Sequence, residues 1–273
     1  TTPAGGAGGG GVGGGAGAGG APGAATDPNV DTDGDGYTGA QGDCDDCNPT
    51  VNPGAIEVAG NMQDDDCNGQ VDEPAAPCDS ANGGQSDATS LAQSMELCDA
   101  RFFKGAMTAG PSDMRARIVA ATFGTVVKPQ AGANMALLST GLAVDKSSSS
   151  FVEPQEGTDL GNMGTNPLPN LAGVSKCQNN PAPVTQVQDY SEVVMQLKAP
   201  TNANSFSFQF HFFSAEYPEF VCTTFNDQFI ALVDTPGGTP KPIPNPIDKN
   251  LLTYTQGGQQ WPIGINIASG TTL

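Results

Sequence analysis

The sequence predicts a mainly β protein: a loop-rich, disulfide-bonded acidic module followed by a β-sandwich, jelly-roll-like domain with one short helix. Three observations lead there. Gly and Pro are abundant, at 37 and 22 of 273 residues, and only 14% of residues are charged, a bias that favours turns and strands over long helices. The acid is lopsided, because residues 1–100 hold 17 Asp and Glu with no Lys, Arg or His, within a net charge of -19 for the chain. Short apolar or alternating runs then recur from about residue 113, separated by Gly, Pro, Asn and Ser clusters. The expected boundaries are 1–26 for a Gly-rich segment, 27–76 for the acidic module and 77–273 for the β domain. So acidic a chain is a poor partner for nucleic acid or an anionic membrane surface. It also has no apolar run long enough to span a membrane.

Residues 1–26 contain 13 glycines with Ala, Pro and Thr making up nearly all the rest, the composition of a flexible tether. Extended packing of this run in an assembly is the alternative, and it needs many intermolecular contacts because glycine loses the most entropy on ordering.

The acidic module sets oxygen ligands on alternate residues. Asp31, Asp33 and Asp35 are interleaved with Gly34 and Gly36, which let the backbone curl around an ion, and Tyr37 follows to offer its carbonyl. An EF-hand loop counted from Asp31 would need Glu at position 12, where the chain has Gly42, so the closing carboxylate has to come from Asp43 or Asp46. A second run, Asp64, Asp66, Asn68 and Asp72, repeats the spacing and completes a second site or shares ligands with the first; Glu57 lies between the two. Hard oxygens without a nearby histidine select calcium (Ca2+) over zinc or copper, and the chain's single histidine, His211, is remote in sequence. Acidic, Gly-rich sequence is also the composition of a solvated linker. Cys44 and Cys67, one in each acidic run, argue against that, since a disulfide between them would hold the loops together. Cys44 and Cys47 form a C-x-x-C, a spacing that suggests zinc or redox chemistry; neighbouring carboxylates oppose the reactive thiolate that a redox dithiol requires, and zinc stays as the lesser alternative.

The ordered series Gly42-Asp43-Cys44, Asn52-Pro53-Gly54-Ala55, Glu57 and Asp66-Cys67-Asn68-Gly69 resembles the metal-binding motif of secreted and surface proteins of Gram-negative bacteria. Its logic is similar to that of thrombospondin type 3 repeats. The resemblance covers about residues 31–73 and implies Ca2+ bound for structural ends.

Residues 78–104 read as a helix, with Asp87 as N-cap and Leu91, Met95, Cys98 and Phe102 at helical spacing; Cys78 and Cys98 bracket the segment and would staple it. Strands are expected within 116–127, 135–144, 191–199, 205–213, 227–233 and 263–268. In the strongest, Phe206, Phe208, Phe210 and Phe212 share one face, taken as the inner layer of the sandwich, with a sugar-stacking groove as the sharper reading. His211, alternating with them, reads as a hydrogen-bonded strand residue.

The stretch 214–233, SAEYPEFVCTTFNDQFIALV, resembles the choice-of-anchor L domain of bacterial extracellular proteins. Leu138-Ser139-Thr140-Gly141, Gly157-Thr158-Asp159-Leu160 and Asn266-Ile267-Ala268 extend the likeness over residues 78–273, and Ala215 departs from it where a Glu is common. The resemblance implies a surface-displayed β domain. Glu216, Glu219, Asn226 and Asp227 either converge on another Ca2+ or cap strand turns. Cys177 and Cys222 are candidates to pair, which leaves Cys47 over.

Seven cysteines beside acidic loops indicate an oxidising compartment, hence secretion or cell-surface display. The start at Thr1 reads as the mark of a removed targeting segment, and the end at Leu273 as a chain that continues. The expected role is a structural or adhesive protein stabilised by calcium, with self-association into a filament, or binding to surface proteins and glycans, as its partnership. A calcium-dependent carbohydrate-binding module, using Glu216, Asn226 and Asp227 around an ion, is the alternative. Enzyme activity is not expected: no G-x-S-x-G or H-E-x-x-H occurs, and His211 is the single histidine available to a triad.

Overall fold

The computed structural model describes residues 27–78, 83–152, 159–166, 185–214, 227–234, 251–256 and 259–264. The Gly-rich segment 1–26 lies outside them. The described chain is mainly strand with little helix, and it forms two compact units. One is the acidic region up to Ala76 together with Ala199–Phe206; the other comprises the described parts of Pro77–Lys198 and Ser207–Leu273.

The acidic unit has no strand or α-helix among its described residues. Its backbone groups are satisfied by turns and by carboxylates, with one 3-10 turn at Gly39–Gln41 closed by Gly42 at φ +98. Its interior is correspondingly unusual: Asp43, Asp46, Asp65 and Asp66 are buried alongside Val51, Asn52 and Ala55. So few apolar groups cannot drive folding of a 50-residue unit by burial alone, and such units ordinarily rely on disulfides or metals. The Cys44–Cys67 disulfide spans 23 residues with a Cα–Cα distance of 5.6 Å.

In the second unit, α1 is Ala88–Gln93. Asp87 caps it as expected, its side chain accepting from the Ser90 N–H. The helix does not run on to residue 104. It ends in a Schellman turn, in which Leu97 N–H donates to Ala92 O and Glu96 N–H to Gln93 O, with Glu96 left-handed at φ +61. Met95, Cys98 and Phe102 therefore leave the helix. The turn redirects the chain so that Cys98 meets Cys78, at a Cα–Cα distance of 5.5 Å, and a strand starts at Phe103.

That strand, β1 (Phe103–Ala109), pairs antiparallel with β6 (Glu192–Leu197), with a register shift at Phe103/Gly105. β2 (Arg117–Ala120) pairs with β3 (Met135–Leu138), and β4 (Met163–Thr165) with β5 (Gln186–Gln188). β9 (Gln259–Gly264) lies between β7 (Gln228–Phe229) and β8 (Thr253–Gln256). Every pairing is antiparallel and every sheet is small, so the described residues show no closed sandwich. The expected run 116–127 divides into β2 and a tight turn in which Phe123 and Val127 exchange backbone hydrogen bonds around Gly124. Gly110, at φ +113, abuts the Tyr190 carbonyl, and any Cβ there would strike it. α1 packs on β1 and β6, burying Leu91 and Ala92, while Pro111, Ala116, Val119, Ala143 and Leu252 are also buried among the described residues of this unit.

The phenylalanine run departs most from expectation. Residues 205–213 join no ladder, and Phe206, Phe208 and Phe210 are 65%, 45% and 38% exposed. Alternation marks a segment as able to form a strand, but pairing needs a neighbour for its N–H and C=O groups, and none of the described residues supplies one. Ring contacts remain: Phe210 lies 4.9 Å from Phe229 of β7, and His211 stacks on Phe213 at 6.2 Å.

Candidate metal centre

Two acidic triads form in the first unit. Carboxylate oxygens of Asp31, Asp33 and Asp35 lie within 4.8 Å of one another, as do those of Glu57, Asp66 and Glu73. At such separations each like-charged pair repels by roughly 3 kcal/mol at an effective dielectric of 20.

Local backbone geometry builds the first triad. Asp31 accepts from Gly34 N–H at 2.6 Å and Gly36 N–H at 3.0 Å, so the loop folds back over its own first carboxylate. Asp33 accepts from Asp35 N–H, and Asp35 from Tyr37 N–H at 2.8 Å. The other Asp35 oxygen takes Asn52 Nδ2 at 2.7 Å. The ring of Tyr37 rests on Gly54, where a Cβ would fall 2.6 Å from the tyrosine oxygen, so glycine is required there by close approach.

The structure separates the two candidates for closing the first site. Asp46 spends one oxygen on Thr32 N–H and the other on the Thr32 hydroxyl. Asp43 is 8% exposed, and while its Oδ1 accepts from Asp45 N–H, its Oδ2 is buried with no hydrogen-bond partner. Asp33 Oδ2 and Asp45 Oδ1 are orphaned in the same way. Burial, and after it the charges of Asp35, Asp33 and Asp46, raises the Asp43 carboxyl above its ordinary value, against the Asp45 N–H. Asp33 is raised chiefly by burial too, with Asp35, Asp31 and Asp46 adding to it and the Asp35 N–H opposing.

The second triad is organised by Glu57, whose Oε1 accepts from the N–H groups of Asp65 and Asp66 and whose Oε2 accepts from Asp72 N–H at 2.9 Å. Glu73 is held by Asn68 Nδ2, and its Oε2 is buried without a partner. Asp64 and Asp72 do not join the triad. Asp64 binds the N–H groups of Asn68 and Gly69, and Asp72 those of Gly60, Asn61 and Met62. These bonds hold Met62, Cys67 and Asp72 near φ +60, +56 and +56. Left-handed backbone costs about 1–2 kcal/mol per non-glycine residue.

Glu73 and Asp65 are the residues the sequence reading passed over. Glu73 falls outside the alternate-residue pattern that singled out the others. Asp65, 3% exposed, breaks that pattern too; it staples the loop by accepting from Val58 N–H and, with both carboxylate oxygens, from Asn61 Nδ2. The run of three aspartates at 64–66 was the one available signal for it.

Cys47 takes part in neither disulfide and is exposed. Cys177, Cys222, Glu216, Glu219 and Asn226 lie outside the described residues. Asp227 is described: it accepts from the Ser214 hydroxyl at 3.1 Å, and burial raises its carboxyl.

The donor set accommodates a hard cation. The described part of this unit holds 13 carboxylates and no Lys, Arg or His, so no side chain can neutralise the buried ones. A family model described as "Putative metal-binding motif", with the name Cu-binding_MopE, matches residues 43–73. The match takes in Cys44, Cys67 and the second triad, and leaves Asp31, Asp33 and Asp35 outside. Neither the curated proteins nor the solved structures contain a match to the chain. The chain thus carries a metal-binding motif, supported by a disulfide. The two disulfides suit an oxidising setting outside the cytoplasm, and no helix of the described residues is long and apolar enough to cross a membrane.

Proposed function

We propose that this chain is a secreted or cell-surface structural or adhesive protein of a Gram-negative bacterium, whose acidic unit is rigidified by Ca2+. One observation carries the reading: carboxylates are buried, with orphaned oxygens, in a unit that contains no cationic side chain. The choice between ions follows from the donors. Both triads offer only carboxylate oxygens, which suit Ca2+ better than copper, whose sites draw on imidazole and sulfur. The resemblance of residues 78–273 to choice-of-anchor L domains supports surface display, with self-association, including into a filament, as the form of partnership. The reading includes no catalytic step.

Titration of the chelator-treated full chain with Ca2+ and, separately, Cu2+ by calorimetry tests it. Saturable Ca2+ binding, in the 10⁻⁴ to 10⁻³ M range typical of extracellular modules, is expected. Tight copper binding with no calcium heat overturns the choice of ion, and no heat with either overturns the metal.

The exposure of Phe206, Phe208 and Phe210 favours a second reading, in which aromatic faces stack on a sugar. Glycan-array binding that is lost on changing these residues to alanine would favour it over assembly.

A further inference from the structure

We infer that cation occupancy of the Asp31, Asp33 and Asp35 cradle is coupled, through the Asn52 side chain, to the seating of Ala199–Phe206 on the acidic unit. This rests on the metal reading above. It concerns a segment that lies more than 160 residues from the cradle along the chain and carries no charge of its own.

Asn52 is fully buried, at 0% exposure. Its carboxamide can make four hydrogen bonds, and all four are made. Nδ2 donates to Asp35 Oδ2 at 2.7 Å and to the Pro49 carbonyl at 3.4 Å. Oδ1 accepts from Gly54 N–H at 2.9 Å and from the Thr201 hydroxyl at 2.7 Å. The amide cannot turn over, because its oxygen would then meet the Asp35 carboxylate and its nitrogen the Gly54 N–H. A carboxylate of the cradle therefore fixes the side chain that receives Thr201.

The seat is completed by backbone bonds. Thr201 N–H donates to the Gly54 carbonyl at 3.0 Å, Ile56 N–H to Asn202 Oδ1 at 3.1 Å, and Asn202 Nδ2 to the Ile56 carbonyl at 2.8 Å. Asn52 N–H also donates to the Asp65 carbonyl at 3.0 Å, and Ile56 precedes Glu57, so the seat is flanked by both triads. Without a cation, the three carboxylates of the cradle repel and Asp35 is driven from its position. Asn52 then loses its charged acceptor while still buried, an unfavourable state that is relieved when the amide moves and releases Thr201. With a cation, the cradle contracts and the seat is pre-formed.

Coupling of this kind is reciprocal, so each half predicts the other. In the full chain, hydrogen exchange at Thr201 and Ile56 amides is expected to quicken at least fivefold when calcium is replaced by EDTA, while the exchange of β2 is unchanged. The double variant Thr201→Val/Asn202→Ala is expected to weaken calcium binding by a similar factor, about fivefold, at the low end of measured couplings. Wild-type chain that binds no calcium sinks the metal reading itself. Wild-type chain that binds calcium, yet shows the same Thr201 and Ile56 exchange with and without EDTA, sinks the coupling alone. That second measurement needs no variant to fold.

Discussion

Most aspartates with a shifted carboxyl meet opposite surroundings in the two units of this chain; Asp227, buried in the second and raised like those of the first, is the exception. In the second, Asp113 is paired to Arg115 at 2.6 Å, and the arginine holds its carboxyl down at about 2. Asp99 is lowered by Arg101 in the same two-residue spacing, and Asp87 by the Ser90 hydroxyl it caps. In the first unit, Asp33 and Asp43 are raised, because burial strips water from them and their neighbours are other aspartates. The same side chain is self-sufficient where a partner is supplied by sequence and incomplete where none is. The acidic unit is built around charges that none of its own side chains neutralises.

The most direct test of that contrast is removal of the calcium proposed above. A ligand present at 100 times its dissociation constant stabilises the folded state by about 2.7 kcal/mol, so EDTA is expected to lower the unfolding midpoint of the acidic unit and leave the second unit in place. Amide exchange resolved along the sequence measures both at once; equal loss in the two units would erase the distinction.

Opening the Cys44–Cys67 bond comes next. Closing a loop of 23 residues is worth about 3 kcal/mol on the chain-entropy model, and Cys44→Ser with Cys67→Ser is expected to lose that much and weaken calcium binding with it. The matching pair at Cys78 and Cys98 should lower stability by a similar amount without touching calcium affinity. Urea unfolding with and without calcium separates the two.

Asp43→Asn sharpens the comparison by acting in opposite directions. Without metal it removes a buried charge and should raise stability; with metal it removes a ligand and should weaken calcium at least tenfold. Calcium titrations of the variant that match wild type would exclude Asp43 from the site. The smallest effects belong to the second unit. Asp87→Ala should cost about 1 kcal/mol through loss of the helix cap, whatever the calcium concentration. Acid should also bite gently here. The folded-state pKa values of Asp87, Asp99 and Asp113 lie below their unfolded ones, so their contribution is complete above the ordinary aspartate range and fades as pH falls through it, reaching about 2 for Asp113. Urea series from pH 6 to 2 on wild type and on Asp113→Asn isolate that limb from Asp227, whose raised carboxyl acts in the opposite direction; equal pH dependence in the two would reverse the assignment.

Much of this molecule is legible from local pattern, and the failures share a cause. Asp87 announces a helix start because its capping partner, Ser90, is three residues away. The helix end at Glu96 has no such mark: a non-glycine residue takes the left-handed position, and apolar spacing continues through Met95 and Phe102 as if the helix did. β1 is hidden for the same reason, since its partner β6 lies some 90 residues downstream. The phenylalanine run shows the reverse error, an ideal alternation without a neighbouring strand among the described residues to bond it.

By itself the sequence determined the ingredients: two carboxylate-rich loops with no cation among them, glycines where Asp31 needs folded-back N–H groups, and cysteines placed to bridge Cys44 to Cys67 and Cys78 to Cys98. Short-range geometry suffices for these, because turns and caps are closed by residues a few positions apart. Tertiary structure alone decided which oxygens turn inward. It assigned Asp64 and Asp72 to backbone N–H groups, brought Glu73 to Glu57 and Asp66, and seated Thr201 on Asn52. Asp33 Oδ2, Asp43 Oδ2, Asp45 Oδ1 and Glu73 Oε2 are buried without a hydrogen bond, and only the folded path of the chain settles which oxygens are left over for an ion.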